Sequence, residues 1–321
     1  MSEVNLTPDL IDRTGDALHR VASVFNGEHL PFLALAAVPV AIWLWLFLSH
    51  KRENRFLTFA IFLAGMLAVI PIFVFQYEIA RIEESLKGLL ENLVLTTALT
   101  GLWVGFYEET AKMWIVKLTG RSFFQDIDDA IILSITVALG FSFVENVLYF
   151  YSIWNNAGIE ESMRWFYVTF RSLGSMLLHI IASGIFGYYF GIACFAKPVL
   201  IDKLSQGKRF IFTKRIHQIL HLKSETVFRD EKIFEGLIIA ASIHAVFDFL
   251  MGMSQYFTDA GSSVIARIWL LLAIPFLVGG FFWLTYLLDK KEDHKTYCEV
   301  GEPDPLDQKS CEIHEPKARQ N

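Results

Sequence analysis

Cysteine is scarce in this sequence of 321 residues, and its scarcity argues against two kinds of site. The three cysteines are Cys194, Cys298 and Cys311, and none belongs to a Cys-x-x-Cys pair. An odd number of cysteines at such spacings argues against a disulfide framework and against a zinc site made of thiolates. The first 29 residues also lack a basic stretch followed by an apolar core, so we expect no cleavable signal peptide.

Charged residues are the second scarce class. They make up 19% of the chain, whereas a soluble globular domain has about 25%. The net charge is −6, so nothing in the composition indicates a nucleic-acid partner. Hydrophobic residues are abundant instead, at 54% of the chain, and they include 29 Phe and 8 Trp. This balance is typical of a protein that lies in a lipid bilayer.

The hydrophobic residues are gathered into runs of roughly 20, the length that a helix needs to cross about 30 Å of hydrocarbon. We therefore predict an all-α, polytopic helical bundle with about seven transmembrane helices in the cell inner (plasma) membrane. The third run is the least apolar, because Glu108, Glu109 and Lys112 interrupt it. The predicted spans are Leu30–Ser49, Phe56–Gln76, Leu93–Lys117, Asp129–Trp154, Ser172–Phe195, Phe234–Met253 and Ile268–Leu288.

The basic residues of the loops set the predicted orientation, since Lys and Arg favour the cytoplasmic side. They follow the first span, fill the loop Lys197–Lys232 and follow the last span. With alternating spans these regions fall on one side, which predicts an outside N-terminus and a cytoplasmic C-terminus. We predict that residues 1–29 form an extracytoplasmic amphipathic segment with a helix over Pro8–Phe25, residues 30–288 the transmembrane domain, and residues 289–321 a disordered cytoplasmic tail.

Four of the predicted spans carry ionisable residues well away from their ends. A charge at mid-membrane costs at least about 2.5–3.5 kcal/mol on the insertion scale, which makes such residues candidates for function. One alone often only forms a hydrogen bond, but the whole set would be a costly way of holding helices together. The set comprises Glu108, Glu109 and Lys112 in the third span, Glu145 in the fourth, His179 in the fifth, and His244 and Asp248 in the sixth.

The spacing predicts that these side chains meet inside the bundle. Lys112 follows Glu108 by four residues and Glu109 by three, and Asp248 follows His244 by four, so each set lies on one helix face. Each face also carries Gly, Ala, Ser or Thr at the same spacing, and such stripes are the surfaces at which membrane helices approach closely. Depths counted from the predicted span ends differ by some 10 Å at 1.5 Å per residue, so tilt or shifted boundaries must bring the groups together.

At these residues the sequence resembles the PrsW family of intramembrane proteases, over about residues 93–255. The CAAX prenyl proteases, distant relatives of that family, carry Glu-Glu-x-x-x-Arg and Phe-x-x-x-His. Here Lys112 stands one position earlier than that Arg, and Glu145 replaces that His, and both departures favour the PrsW family. The resemblance rests on the ordered set Glu108-Glu109-x-x-Lys112, Gly140-Phe141-x-x-x-Glu145-Asn146, His179, and His244-x-x-x-Asp248.

The resemblance implies an intramembrane peptidase that cuts a membrane-anchored protein, for example a single-span regulatory protein of the anti-sigma type. Peptide hydrolysis needs an activated water, a stabilised oxyanion and a proton for the leaving amine. Glu108 and Glu109 are the candidates for the base. Asp248 is the candidate for orienting His244, and Lys112 for balancing the charge of the two glutamates.

Whether a metal takes part is open at this stage. Glu109, Glu145, His179 and His244 are of the types that hold Zn²⁺ with one position free for water. Against this, the sequence contains no His-Glu-x-x-His pair, the usual mark of a zinc protease helix. The resemblance to prenyl proteases also suggests a water activated by glutamate. Zn²⁺ and no cofactor are therefore kept as alternatives of equal weight.

The alternative function is an ion- or proton-coupled transporter or channel, because such proteins also place Glu, His and Asp inside the membrane. Transporters often show internal repeats and spans broken by Gly or Pro. This sequence shows no repeat period, and its sixth predicted span is unbroken. A third alternative is an inactive scaffold that binds membrane segments.

Overall fold

The computed structural model describes residues 8–50, 55–75, 84–85, 93–120, 126–195 and 224–290, and every regular element within these ranges is a helix. Helices satisfy their backbone hydrogen bonds internally, as lipid requires. A short 3-10 helix at Gly27–His29 precedes the second α-helix. The α-helices are α1 (Pro8–Ser23), α2 (Leu30–His50), α3 (Arg55–Leu67), α4 (Leu93–Gly120), α5 (Ile127–Asn155), α6 (Glu161–Phe195), α7 (Ser224–Asp259) and α8 (Ser263–Lys290).

Six helical segments within the described ranges are long and apolar enough to cross a membrane. The chain is therefore a multi-pass membrane protein, and the predicted class of all-α polytopic bundle is confirmed. The six segments are Gly27–Leu46, Arg55–Phe75, Ile127–Asn155, Glu161–Phe195, Val227–Asp259 and Val264–Lys290.

Helix α4, which contains the third predicted span, is not among these six. It is a continuous helix of 28 residues and would be long enough to cross, but its charged side chains make it less apolar than the others. Glu108, Glu109 and Lys112 are nevertheless buried, because α4 packs against α7. The total of seven spans and the orientation with an outside N-terminus stay predictions.

Helices α5 and α6 form the centre of the bundle. Helix α5 packs against α2, α3, α4 and α6, and even its polar side chains Ser134, Ser142 and Asn146 are buried. Helices α2 and α8 lie at the periphery and expose large apolar side chains such as Trp45 and Phe282. Exposed apolar faces on the outer helices are expected where the surrounding solvent is lipid.

Helix α1 confirms the helix predicted over Pro8–Phe25. Ala17 and Val21, four residues apart, are buried, while Leu18 is exposed. The Arg20 guanidinium lies 5.8 Å from the centre of the Phe73 ring. One face of α1 therefore packs on the bundle, as its amphipathic pattern indicates.

Glycines on the predicted small-residue faces set how closely the helices approach. A Cβ atom at Gly105 of α4 would lie 3.0 Å from the carbonyl oxygen of Ala241 and 3.0 Å from the Cβ of His244, both on α7. A Cβ atom at Gly187 of α6 would lie 2.7 Å from the Cα of Ile131 on α5. Neither position has room for a side chain, so the backbones touch there. Gly105 lies one turn before Glu109, so the close contact there brings Glu109 and His244 together.

One helix boundary differs from the prediction in a way that matters for the site. Helix α6 begins at Glu161 rather than at Ser172, so its 35 residues are about 52 Å long at 1.5 Å per residue. The earlier start places Arg171 inside the helix. The first two residues of the predicted tail, Asp289 and Lys290, belong to α8. Residues 291–321 and most of the basic loop Lys197–Lys232 lie outside the described residues.

The predicted orientation can be tested by labelling single cysteines in a variant that lacks the three native ones. A cysteine in the middle of the loop Lys197–Lys232 should stay unlabelled when intact cells are treated with an impermeant thiol reagent, because that loop is predicted to be cytoplasmic. Asn155→Cys, at the exposed end of α5, should react. Both should react after the membrane is permeabilised, and the reverse pattern in intact cells would invert the topology.

Candidate active site

The ammonium group of Lys112 lies at the centre of the ionisable cluster, and the residue is 2% exposed. Its Nζ atom lies 2.7 Å from Glu109 Oε1 and 2.8 Å from His179 Nδ1. A third neighbour, Glu108 Oε2, is 4.0 Å away. An ammonium can only donate, so Nδ1 of His179 accepts and the proton of a neutral ring lies on Nε2. Lys112 thus joins α4 to α6 and balances the charge of Glu109.

His244 of α7 contacts both glutamates. Its Nδ1 atom lies 3.0 Å from Glu109 Oε1, and its Nε2 atom lies 3.4 Å from Glu108 Oε2 and 3.5 Å from Asp248 Oδ2. The shortest contact of the ring is therefore with Glu109. Sequence spacing assigned the orienting role to Asp248, whereas the structure places Glu109 in the better position for it.

On α6, His179 is part of a second chain of polar contacts. Its Nε2 atom lies 3.0 Å from Glu145 Oε2, and the other oxygen of that carboxylate accepts from the Arg171 guanidinium. Arg171 extends the cluster by one residue that sequence reasoning missed. It lies just before the predicted fifth span, where a basic residue is usually interpreted as an anchor at the membrane surface. No motif in the sequence marks it.

Aromatic and hydroxyl side chains complete the surroundings of Lys112. Its Nζ atom lies 4.3 Å from the centre of the Phe141 ring, whose face attracts a cation. The same ring lies edge-on to His179, with 5.5 Å between the ring centres. Ser183 donates a hydrogen bond to Glu109 Oε2 at 3.4 Å. Phe141, of the Gly140-Phe141 motif, therefore helps to hold the lysine in the bundle.

Burial divides the cluster into a centre and an edge. Lys112, Glu109 and the two histidines are at most 3% exposed, whereas the edge side chains are 21 to 29% exposed. The edge consists of Glu145, Arg171 and Asp248, which lie on α5, α6 and α7 toward the ends that lead into residues 156–160 and 260–262. Another molecule can therefore reach the cluster from that end of the bundle.

Comparisons with known proteins identify relatives of this chain. The sequence profile of the family described as "PrsW family intramembrane metalloprotease" matches residues 53–209. The "Protease PrsW" of Shouchella clausii (strain KSM-K16) is 30% identical over 204 residues, which cover 59% of this chain and 86% of that protein. The chain belongs to the PrsW family.

A second relative shows a similar identity over a shorter region. The "Protease PrsW" of Geobacillus kaustophilus (strain HTA426) is 31% identical over 162 residues, which cover 49% of this chain and 64% of that protein. No solved structure matches the chain significantly. The PrsW family profile ends at residue 209, before α7. His244 and Asp248 are therefore assigned to the site because of their contacts, not because of the profile.

The description of the PrsW family as metalloproteases raises the question of whether these residues fit a metal ion. In the described part of the chain, donor atoms of Glu108, His179 and His244 all lie within 4.8 Å of one another. Glu108 Oε2 is buried and accepts no hydrogen bond from a described residue. If Nδ1 of a neutral His244 ring donates to Glu109, its Nε2 lone pair points at carboxylate oxygens, and a cation between them would stabilise that arrangement. The residues therefore fit a zinc-type ion.

Two of the four metal ligands proposed from the sequence have other partners in the structure. Glu109 contacts Lys112 and His244, a position typical of the carboxylate that orients a metal-binding histidine. Glu145 pairs with Arg171, and Glu108 takes its place in the ligand group. His179 would have to release either Lys112 or Glu145 before one of its ring nitrogens could bind a metal.

Lys112→Met should destabilise the fold, because it leaves Glu109 as an unpaired charge inside the bundle. Loss of one partner from a buried ion pair typically costs about 3–5 kcal/mol. Lys117→Met, on the same helix but exposed, provides the matched control and should have little effect. Thermal unfolding in detergent measures both, and equal midpoints for the two variants would show that Lys112 does not hold the helices together.

Proposed function

We propose that this protein is an intramembrane endopeptidase that hydrolyses peptide bonds of membrane-anchored proteins. The observation that carries the proposal is the cluster of Glu108, Glu109, Lys112, His179 and His244, which three helices assemble at a buried position. Membership of the PrsW family supports the reaction class. Substrates of the single-span regulatory type fit an enzyme whose reactive groups lie inside the membrane.

The two glutamates make different contacts, and the contacts suit them to different roles. Glu109 contacts Lys112, His244 and Ser183, so both of its oxygens are already engaged. Glu108 Oε2 accepts no hydrogen bond from a described residue and is free to take a proton from a water molecule. We therefore assign the base to Glu108 and the positioning of His244 to Glu109.

The histidines and the edge residues supply the remaining requirements of peptide hydrolysis. His244 Nε2 lies between Glu108 and Asp248, so a proton received there can be passed to the leaving amine. His179 is held by Lys112 and Glu145 on its two nitrogens, which fixes the plane of its ring. The partly exposed edge of Glu145, Arg171 and Asp248 is the side from which a peptide would approach.

The assignment of Glu108 as the base applies to a reaction without a metal. In a metal-bound form Glu108 would instead be a ligand, together with His179 and His244, the group that the geometry favours. A bound Zn²⁺ lowers the pKa of its water and polarises the carbonyl of the peptide bond. In that form Glu109 keeps His244 oriented through Nδ1. Lys112 keeps the buried charge of Glu109 balanced.

Replacing each glutamate by glutamine separates the two roles. Glu108→Gln should reduce cleavage about 10²–10⁴-fold, the usual contribution of general acid–base catalysis, with little loss of thermal stability. Glu109→Gln should reduce both cleavage and stability, because it weakens the contacts with Lys112 and His244. Glu161→Gln, exposed in the first turn of α6, is the matched control and should behave as the wild type.

Membrane proteins are prepared from cells that lack this protein and are incubated with each purified variant. The readout is the set of new N-termini, which mass spectrometry detects. A Glu108→Gln variant that produces the wild-type set at the wild-type rate would remove Glu108 from the reaction. Loss of cleavage in the Glu161→Gln control would show that the assay reports misfolding instead.

Cleavage should proceed in sealed vesicles with no ion gradient, because hydrolysis needs no coupled transport. A chelator such as 1,10-phenanthroline should abolish it, and added Zn²⁺ should restore it, because metal removal empties the ligand group. Cleavage that survives the chelator but not Glu108→Gln would point to a metal-free reaction with water activated by the glutamate. Gradient-driven ion flux without any cut peptide bond would favour a transporter.

A further inference from the structure

A cavity of about 260 Å³ lies beside the edge of the cluster, between α6 and α7. Helices α5 and α8 contribute Tyr149 and Leu270 to its wall. Most of the wall is aromatic or aliphatic, and Phe247 and Met251 line it on α7. A single water molecule takes about 30 Å³, so the space is large enough for a bulky side chain.

The cavity is connected to the reactive centre through Arg171. This residue lines the cavity, and its guanidinium pairs with Glu145. The same carboxylate contacts His179 Nε2 at 3.0 Å. On the other side, Phe247 and Met251 flank Asp248, whose carboxylate lies 3.5 Å from His244. The cavity is therefore linked to His179 through Arg171 and Glu145, and Asp248 lies between its α7 wall and His244.

The charges at the cavity favour an uncharged occupant. Arg171 is already neutralised by Glu145, and its guanidinium lies 4.2 Å from the centre of the Tyr149 ring. A carboxylate that entered would face Glu145 without a cation of its own, and an ammonium would face Arg171. Each would be a charge without a partner in a mostly apolar space, which is costly.

Arg171 also has a hydrogen-bond donor without a partner among the described residues. This donor is the Nε–H group, whose nitrogen atom is buried. A buried donor without a partner costs free energy, so a small shift of the Arg171 side chain that brings Nε–H to an acceptor in the cavity would be favoured. The carbonyl oxygen of a peptide bond is such an acceptor, and every substrate of an endopeptidase carries one beside each side chain.

We infer that this cavity is the subsite for the substrate residue next to the scissile bond, and that it selects a large uncharged side chain. The Nε–H of Arg171 donates to the carbonyl oxygen of that residue, so Arg171 positions the substrate. The inference rests on the proposed function. Met251 of α7 lines the cavity and sets how large the accepted side chain can be.

The test compares the substrate sequences around the cut sites of wild type and variants. The cut sites are found by mass spectrometry of new N-termini, as for the glutamate variants. Wild type should show large apolar residues at one of the two positions directly beside the cut, and Asp, Glu and Lys should be depleted there. Met251→Trp fills the cavity and should shift that position toward Ala and Gly by about tenfold or more, since pocket contacts of this size discriminate by that factor. Met251→Ala enlarges the cavity and should shift it toward Phe and Trp.

Val246→Trp is the matched control, because Val246 lies on the same helix, is 44% exposed and does not line the cavity. The Val246→Trp variant should prefer the same substrate side chains beside the cut as the wild type. Arg171→Lys keeps the charge but removes the Nε donor, and it should slow all cuts about 10–100-fold, as expected for a hydrogen bond to a charged group. It should leave the side-chain preference in place.

The outcomes separate this inference from the proposed function. If wild type produces no new N-termini, the peptidase itself is rejected and the subsite with it. If wild type cuts but neither Met251 variant changes the preference, the cavity is not a substrate subsite. If Met251→Trp does not fold, Met251→Ala still decides the question, because a smaller side chain on the wall should widen the accepted range.

Discussion

The buried ammonium of Lys112 is the interaction on which the rest of the site depends. It lies between a glutamate of its own helix and a histidine of α6, and it lies against an aromatic ring of α5. Without it, Glu109 would be a charge inside a bundle that has little else to balance it, and a charge in such surroundings is costly unless it is paired. With it, Glu109 can also contact His244. One ammonium group therefore pairs with the carboxylate that contacts His244 and joins three helices.

Close helix contact is what makes this arrangement possible. Gly105 allows α4 to touch α7 beside His244, and Gly187 allows α6 to touch α5. Short polar contacts tolerate displacements of only a few tenths of an ångström, so the backbones must be held at fixed distances. Apolar packing around α5 and α6 supplies that rigidity. The outer helices α2 and α8 expose large apolar side chains, as expected where the surrounding solvent is lipid.

Much of this could be predicted from the sequence, because helical spacing fixes which side chains share a face. The separations within α4 and α7, together with the stripes of small residues on all four spans, predicted that the four polar faces converge. All seven residues belong to one cluster. Contacts between helices depend on rotation and depth, which spacing does not determine. For that reason spacing did not show that the shortest contact of His244 is with Glu109. It also did not show that Glu108, rather than Glu109 or Glu145, lies with the two histidines in the candidate ligand group.

Arg171 was missed for a different reason. The predicted fifth span was bounded by hydropathy, and an arginine lowers hydropathy whether it faces water or an acidic partner. Its partner, Glu145, lies on the preceding helix, and only the paired structure shows that the two charges cancel. Where a buried cation and anion lie on different helices, each makes its own segment look less suited to the membrane than it is.

The composition of α4 has a consequence for how the chain is made. During synthesis α4 emerges from the ribosome well before α7, because the residues that contact each other, Glu109 and His244, are 135 positions apart. Its two glutamates and its lysine oppose entry into lipid at that stage, since each charge is unfavourable on the insertion scale. Within α4 one cation, Lys112, lies beside both glutamates, so one of their two charges stays unbalanced at that stage. Stable burial of this helix therefore belongs to a late step of biogenesis, after α7 has reached the membrane.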